Sequence, residues 1–363
     1  MRAFLERYSH SPGFHCISSA ARNYLNYCGI ALSECAAFGL DACLGFYYEK
    51  HDVREKMPPV HTGGRSVICF RNMCRTLRLP HERIATKDTA AAWEQAKRLL
   101  AVEGKPVIAE VSLAHLPYWR KATRANPFHL VIVAGYDDEE ERVWLGDVNE
   151  PAIDRERLDS RLHETALSAF LDARSKPYHW GEIENAWHKI DIPARYELDL
   201  KGAFAAAIRL NADNYLDDRE QCGVKAFAQF LGELADWPDI IPSTMRDEAT
   251  GKKALPLRTQ LYYTGMMLGK VGNGGGNFRY LYAGFIREAA SLYGDDASLH
   301  DAGERFRQSA CIWAEAGKQF EKLSIAGEGE ISAGLKRIRA LLQQCFDTEQ
   351  RAFEKLRAWS SIR

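Results

Sequence analysis

His15 and Cys16 stand side by side in "SPGFHCISSAARNYLNYCG" (residues 11–29), directly before apolar residues at regular intervals. A thiol attacks as thiolate, and nearby positive charge is what favours that form. Ile17, Ala20, Ala21, Tyr24, Leu25 and Cys28 recur at the three-and-four spacing of a one-faced helix, predicted from about Cys16 to Cys28. Pro12 and Gly13 break the chain upstream, and Gly29 suits the left-handed turn that ends helices. Cys16 then falls in the first turn, where unpaired amides and a neighbouring imidazolium stabilise thiolate. The competing reading is a small packed residue without reactivity. The chain has nine cysteines, an odd number, with no CxxC pair and no Cys/His spacing suited to zinc, so no metal is expected. They read as reduced thiols; Cys28, Cys35 and Cys43 lie on or near predicted helix faces as small core residues.

A nucleophilic thiol needs a base, and the base an orienting partner. "HLVIVAGYDDEEERVWLGDVN" reads as two strands joined by the acidic turn Asp137 to Glu141. An antiparallel hairpin centred near Asp138 or Glu139 sets His129 opposite position 147 or 149, and residues of one parity share a face. His129 therefore comes within contact range of Asp147 or, two residues on, Asn149, and the pairing leaves the choice between them open. The alternative for each is ordinary: a strand-edge histidine, and turn chemistry that ends a strand.

The elements that must carry these residues change character along the chain. Helices are predicted at about 16 to 28, 33 to 42, 65 to 77, 88 to 102 and 163 to 173, with strands in "KPVIAEVSLAHL", "HLVIVAGYD", "ERVWLGD" and "IENAWHKIDI". Beyond 198 the pattern is helical, at about 200 to 215, 222 to 236, 257 to 269, 277 to 293, 298 to 323 and 329 to 359. The expectation is an α+β domain over residues 1–197 and an all-α domain over 198–363. A net charge of −1 provides no global basic field for nucleic acid. The apolar runs are too short to cross a bilayer, and "MRAFLERYSH" lacks the apolar centre of a secretion signal, so a cytoplasmic protein is expected, with no membrane partner. The long amphipathic C-terminal helices could pack within the chain or against a second copy as a homodimer.

"GNGGGNFRYLY" from Gly272 is a glycine-rich loop entering a helix, with Asn277 near the cap and Arg279 in the first turn, suited to a polar or anionic group of the substrate. It lacks the Lys-Ser/Thr ending of a P-loop and follows no strand, which argues against a nucleotide site. "YWRKATR" from Tyr118 sets Arg120, Lys121 and Arg124 just before His129, a local basic patch for an acidic partner.

A cysteine on a helix followed by histidine and Asp or Asn on a sheet is the order of papain-like folds. "HCISSAARNYLNYCGIALSECAAFGLDACLGFYY", "HLVIVAGYDDEEERVWLGD" and "GGGNFRYLYAGFIREAA" narrow this, because together they resemble the butirosin biosynthesis protein H family with its helical C-terminal domain. The resemblance implies a papain-like cysteine-protease-type domain followed by an all-α domain. It implies an acyltransferase rather than a protease, moving an acyl group from a carrier-protein thioester to a small-molecule amine. Cys16 would be the acyl-accepting nucleophile, His129 the base and Asp147 the orienting residue. Relatives often carry an acidic residue before "LPY" where this chain has Ser112, which implies a different acceptor. No bound cofactor is implied beyond the phosphopantetheine of the acyl or peptidyl carrier protein. Two rivals remain at this point: a peptidase, amidase or thioesterase using the same three residues, and a non-catalytic scaffold.

Overall fold

A computed structural model describes residues 1–54, 58–66, 70–119, 128–148, 160–178, 181–246 and 251–362. In chain order, β1 (Arg2–Phe4) leads to α1 (Cys16–Tyr27), α2 (Glu34–Leu40), β2 (Leu44–Lys50), β3 (Val60–Arg65), α3 (Arg71–Thr76), β4 (His81–Ile84) and α4 (Thr89–Ala101). Then come β5 (Val107–Ser112), β6 (Phe128–Asp137), β7 (Arg142–Gly146), β8 (His163–Ala166), α5 (Leu167–Ser175) and β9 (Trp187–Ile190). The remainder holds α6 (Leu200–Leu216), α7 (Val224–Glu233), α8 (Trp237–Ile240), β10 (Met245–Arg246), β11 (Lys253–Ala254), α9 (Pro256–Gly269), α10 (Arg279–Leu292), α11 (Ala297–Ile325) and α12 (Glu328–Ser360). The protein is thus mixed α/β, with an N-terminal sheet and a C-terminal helical region. Among the described residues no helix is long and apolar enough to cross a membrane.

The chain forms two compact units, Met1–Ala37 with Cys69–Leu198, and Phe38–Ile68 with Asp199–Arg363. In the first, an antiparallel sheet runs β4-β9-β5-β6-β7-β8, with β1 pairing to β6. Helix α1 lays Ile17, Ala20, Ala21, Tyr24 and Leu25 against β6 and β5, the stripe its spacing predicts. It ends as expected, with Gly29 at a φ of 91°. Near its C-terminus the Tyr24 hydroxyl donates to the Ile190 carbonyl at 2.8 Å, fastening the helix to the edge of β9.

Strand β6 carries a one-residue irregularity that decides which side chains share a face. Near the turn Asp137 pairs with Arg142 and Gly135 with Trp144, so odd positions on β6 face even positions on β7. Between Val133 and Gly135 the register shifts, and Val133 then faces Leu145 and Ile132 faces Gly146. Odd now matches odd. Extending that register sets Asp147 on the diagonal from His129; without the extra residue the two would lie on opposite faces of the sheet.

Two local expectations differ from the structure. The helix predicted over 65 to 77 is the end of β3 and then the shorter α3, and the one over 163 to 173 begins as β8 before α5 takes over. The linear split at 197/198 also differs, since β2 and β3 form a hairpin that packs within the helical unit. The reason is apolar: Phe46, Tyr48 and Val60 are buried with Phe227, Phe230, Trp237, Trp313 and Phe320, and the Phe46 ring stacks at 4.7 Å on Phe227. A strand pair this short cannot bury its own face, and the helices supply the other wall. Phe46→Ala is expected to destabilise the helical unit by about 3–5 kcal/mol, although the residue precedes the unit's first helix by some 150 positions in the chain; loss of helical ellipticity at lower urea than in the parent chain is the measurement.

Candidate active site

The N-terminus of α1 is held in place by a buried carboxylate. Glu34, at the start of α2, accepts the backbone N–H of Phe14 at 2.9 Å and of His15 at 2.9 Å, so the two residues before Cys16 are clamped. His15 is the N-cap: its backbone is extended and its Nδ1 accepts from the Ser18 amide. That assigns His15 to the helix rather than to chemistry. Asn23 bonds both the N–H and the carbonyl of Ser11, and Arg22 donates to the Ser11 and Pro12 carbonyls. Cys16 is therefore the first residue of a rigidly started helix, half-buried, with its thiol in the field of the first-turn amides.

His129 enters from the first part of β6, and Cys16 is its hydrogen-bonding neighbour. The His129 Nε2 lies 2.6 Å from the Asp147 Oδ1, so the nitrogen left to face the sulfur is Nδ1. Both side chains are nearly closed to water, at 8% and 0% exposure. Burial pushes the His129 pKa down, yet Asp147 and the Cys16 sulfur outweigh it and lift the imidazole to about 10. Burial also pushes Asp147 up, but the His129 charge and the bonds from His129, Trp119 and Tyr118 hold it below the usual carboxylate range. The arrangement is a sulfur, an imidazolium and a carboxylate linked in sequence by hydrogen bonds.

Asp147 is saturated with donors. Trp119 Nε1–H and the Tyr118 hydroxyl donate to its Oδ2 at 2.8 and 3.0 Å, and the Val148 amide donates to its Oδ1 at 2.6 Å. From the other side, His10 Nε2–H donates to the Asp147 carbonyl at 2.7 Å, and the Tyr8 hydroxyl donates to His10 Nδ1 at 3.3 Å. Gly146 leaves the room for this: a Cβ there would meet His10 Nδ1 at 2.7 Å. With both ring nitrogens engaged, His10 fixes the end of β7, and the Ser11 amide is spent on Asn23. These contacts fix the loop before α1 and the end of β7. Ser112 is likewise fully buried, its hydroxyl donating to the Pro177 carbonyl at 3.3 Å.

The structure thus brings Cys16, His129 and Asp147 together. Asn149, Arg120, Lys121 and Arg124 lie outside the described residues. The expectation for Asn277 and Arg279 is corrected, because neither can meet a substrate. Arg279 is fully buried, and its Nε and Nη2 donate to both oxygens of Glu349 at 2.8 and 2.7 Å, while its Nη1 donates to the Gly64 and Asn277 carbonyls. Ser309, Trp313 and Tyr215 complete the shell around Glu349. A guanidinium so matched has nothing left for an incoming anion. Asn277 is buried in a left-handed conformation against Gly64, and α10 starts without a side-chain cap.

Sequence reasoning missed Tyr118, Trp119 and Glu34 as parts of the site. The first two were legible in part, since adjacent Tyr and Trp with polar tips seek buried acceptors. A second buried pair, His188 and Glu110 at 3.1 Å, has a different setting: Arg83 donates to both Glu110 oxygens at 2.6 Å, which marks a neutralised structural network joining β4, β9 and β5.

A cysteine at a helix start facing a sheet-borne histidine and aspartate, in a mixed α/β chain that ends in a helical region, defines the general class. Residues 15–148 match the family model described as butirosin biosynthesis protein H, N-terminal, and residues 171–356 match a domain of unknown function (DUF4872). The chain belongs to the butirosin biosynthesis protein H family. That membership points to a biosynthesis-related enzyme. No curated protein matches the chain.

Two outcomes follow from the charges. The His129 pKa is raised from 6.5 to about 10, so its contribution to folding stability is full below about pH 6.5, falls as pH rises and is gone above about 10. Asp147→Asn is expected to flatten that decline, as measured by urea unfolding across the same window. Arg279→Met leaves Glu349 buried without its cation and is expected to cost about 3–5 kcal/mol, with no change in the rate at which iodoacetamide labels Cys16 in the folded chain.

Proposed function

We propose that the chain is an acyltransferase of natural-product biosynthesis with a papain-like catalytic unit, taking an acyl group from a carrier-protein thioester onto Cys16 and passing it to an amine. The observation that carries this reading is the Cys16–His129–Asp147 array, with the imidazole charged and closed to water. Family membership supports a biosynthetic role. Arg120, Lys121 and Arg124, next to the site in sequence, supply the positive charge that an acidic carrier protein requires.

The chemistry needs little beyond these residues, because a thioester is already activated. The Cys16 thiolate adds to the thioester carbonyl, and the tetrahedral intermediate collapses by expelling the phosphopantetheine sulfur, which takes the His129 proton. The carbonyl oxygen, negative in the intermediate, lies near the first-turn amides of α1. His129, now neutral and still oriented by Asp147, accepts a proton from the amine as it attacks the acyl-enzyme. Cys16 leaves as thiolate, the amide is released, and the imidazolium is restored.

Incubation with a carrier-bound acyl thioester, without amine, is expected to add one acyl mass to the intact chain at Cys16. Addition of amine should discharge it as amide. Cys16→Ala should show no adduct, and His129→Ala should acylate at least about 10²-fold more slowly. Free acid as the sole product, whatever amine is supplied, would make the protein a hydrolase. Absence of any adduct in the parent chain would leave a non-catalytic scaffold.

A further inference from the structure

The β2–β3 hairpin has two faces. Phe46 and Tyr48 point into the helical core, and Lys50, on the same side, reaches Glu233 at 2.9 Å. The opposite side carries Glu49, which pairs directly with His61 on β3, and His51, two residues on from Glu49 and therefore on its face. The ladder continues past the strand end, since the His51 amide donates to the Pro59 carbonyl at 2.8 Å. One ligand atom from each of Glu49, His51 and His61 lies within 4.8 Å of the others. The His51 and His61 rings meet edge to face at 4.9 Å, and His51 Nε2 is 3.8 Å from a Glu49 oxygen.

We propose that these three residues form a site for a divalent transition metal, with zinc as the expected occupant. Two imidazoles and one carboxylate are a donor set that suits zinc, nickel or copper and disfavours magnesium or calcium, which take oxygen ligands. Metal bonds of about 2 Å set tetrahedral donor atoms ~3.3 Å apart. The exposed Glu49 and the half-buried His51 close that gap by side-chain rotation, while His61 is buried and held. Its strand is anchored next door: Gln260 of α9 accepts the Val60 amide at 2.7 Å and donates to the Val60 carbonyl at 2.8 Å, as a neighbouring strand would. The Tyr263 ring lies 5.7 Å from the His61 ring. Three protein ligands leave at least one position to water, so the site is open. Its ligands come from two strands, which is why no zinc spacing stands in the sequence. The metal would tie the two strands of the hairpin together.

The test uses the full chain with Cys16→Ser, so that the thiol beside His129 cannot compete, after removal of metals with a chelator. Titration calorimetry with zinc chloride is expected to give one equivalent bound and a raised melting temperature, and magnesium chloride neither. His51→Ala and Glu49→Gln, both near the surface and compatible with folding, should each weaken zinc binding at least about tenfold, since changes behind a ligand already cost that much. Cobalt in place of zinc should show no thiolate charge-transfer band. The proposal is overturned if the Cys16→Ser chain binds no zinc, or if both hairpin variants bind it as tightly as their parent.

Discussion

An imidazole shut off from water keeps its proton only where anions replace the water, and around His129 that replacement is Asp147. The carboxylate is itself buried, so it persists as an anion only because every lone pair facing inward has a donor: His129, Trp119, Tyr118 and the Val148 amide. Remove one donor and the next group in line loses part of its reason to be charged. The proton on His129 in turn gives the Cys16 sulfur a cation to sit beside, in addition to the first-turn amides of α1. What sets the surroundings of the Cys16 sulfur is therefore distributed over four segments: the loop to His10, the start of α1, the run ending at Trp119, and the β6–β7 pair.

Geometry imposes a second condition, and it is local. A sheet assigns side chains to faces by parity, and the turn between β6 and β7 alone would assign His129 and Asp147 to different ones. The register shift near Ala134 reverses the parity midway along the strand, after the tight turn has been made and before the site is reached. The turn thus keeps one register, while the far end of the hairpin takes the one that sets Asp147 beside His129.

How much of this was legible in the sequence varies with the range of the interaction. Helix α1 was readable because its apolar stripe and its Gly29 stop are properties of neighbours in the chain. That His129 meets position 147 or 149 was readable because a hairpin is local too; parity left the choice open and did not see the shift that brings Asp147 to His129. Asn277 and Arg279 were misread for the opposite reason. A glycine-rich loop before a helix resembles an anion cradle, and only long-range packing reveals that Glu349, seventy residues on, already fills it. The hairpin β2–β3 was missed because "LGFYYEK" and "VHTGGR" owe their strand state to aromatic partners beyond residue 220, which no window of local spacing contains.

The excursion of Phe38–Ile68 has a bearing on where the chain can be divided. The first family match spans residues 15–148 and so includes a stretch whose apolar side chains belong with the second compact body. The backbone passes from one body to the other after residues 37, 68 and 198. A single cut after residue 198 would separate Phe46 from Phe227 and Trp313. Residues 1–198 alone would therefore leave the apolar face of the β2–β3 hairpin without the aromatic side chains that cover it.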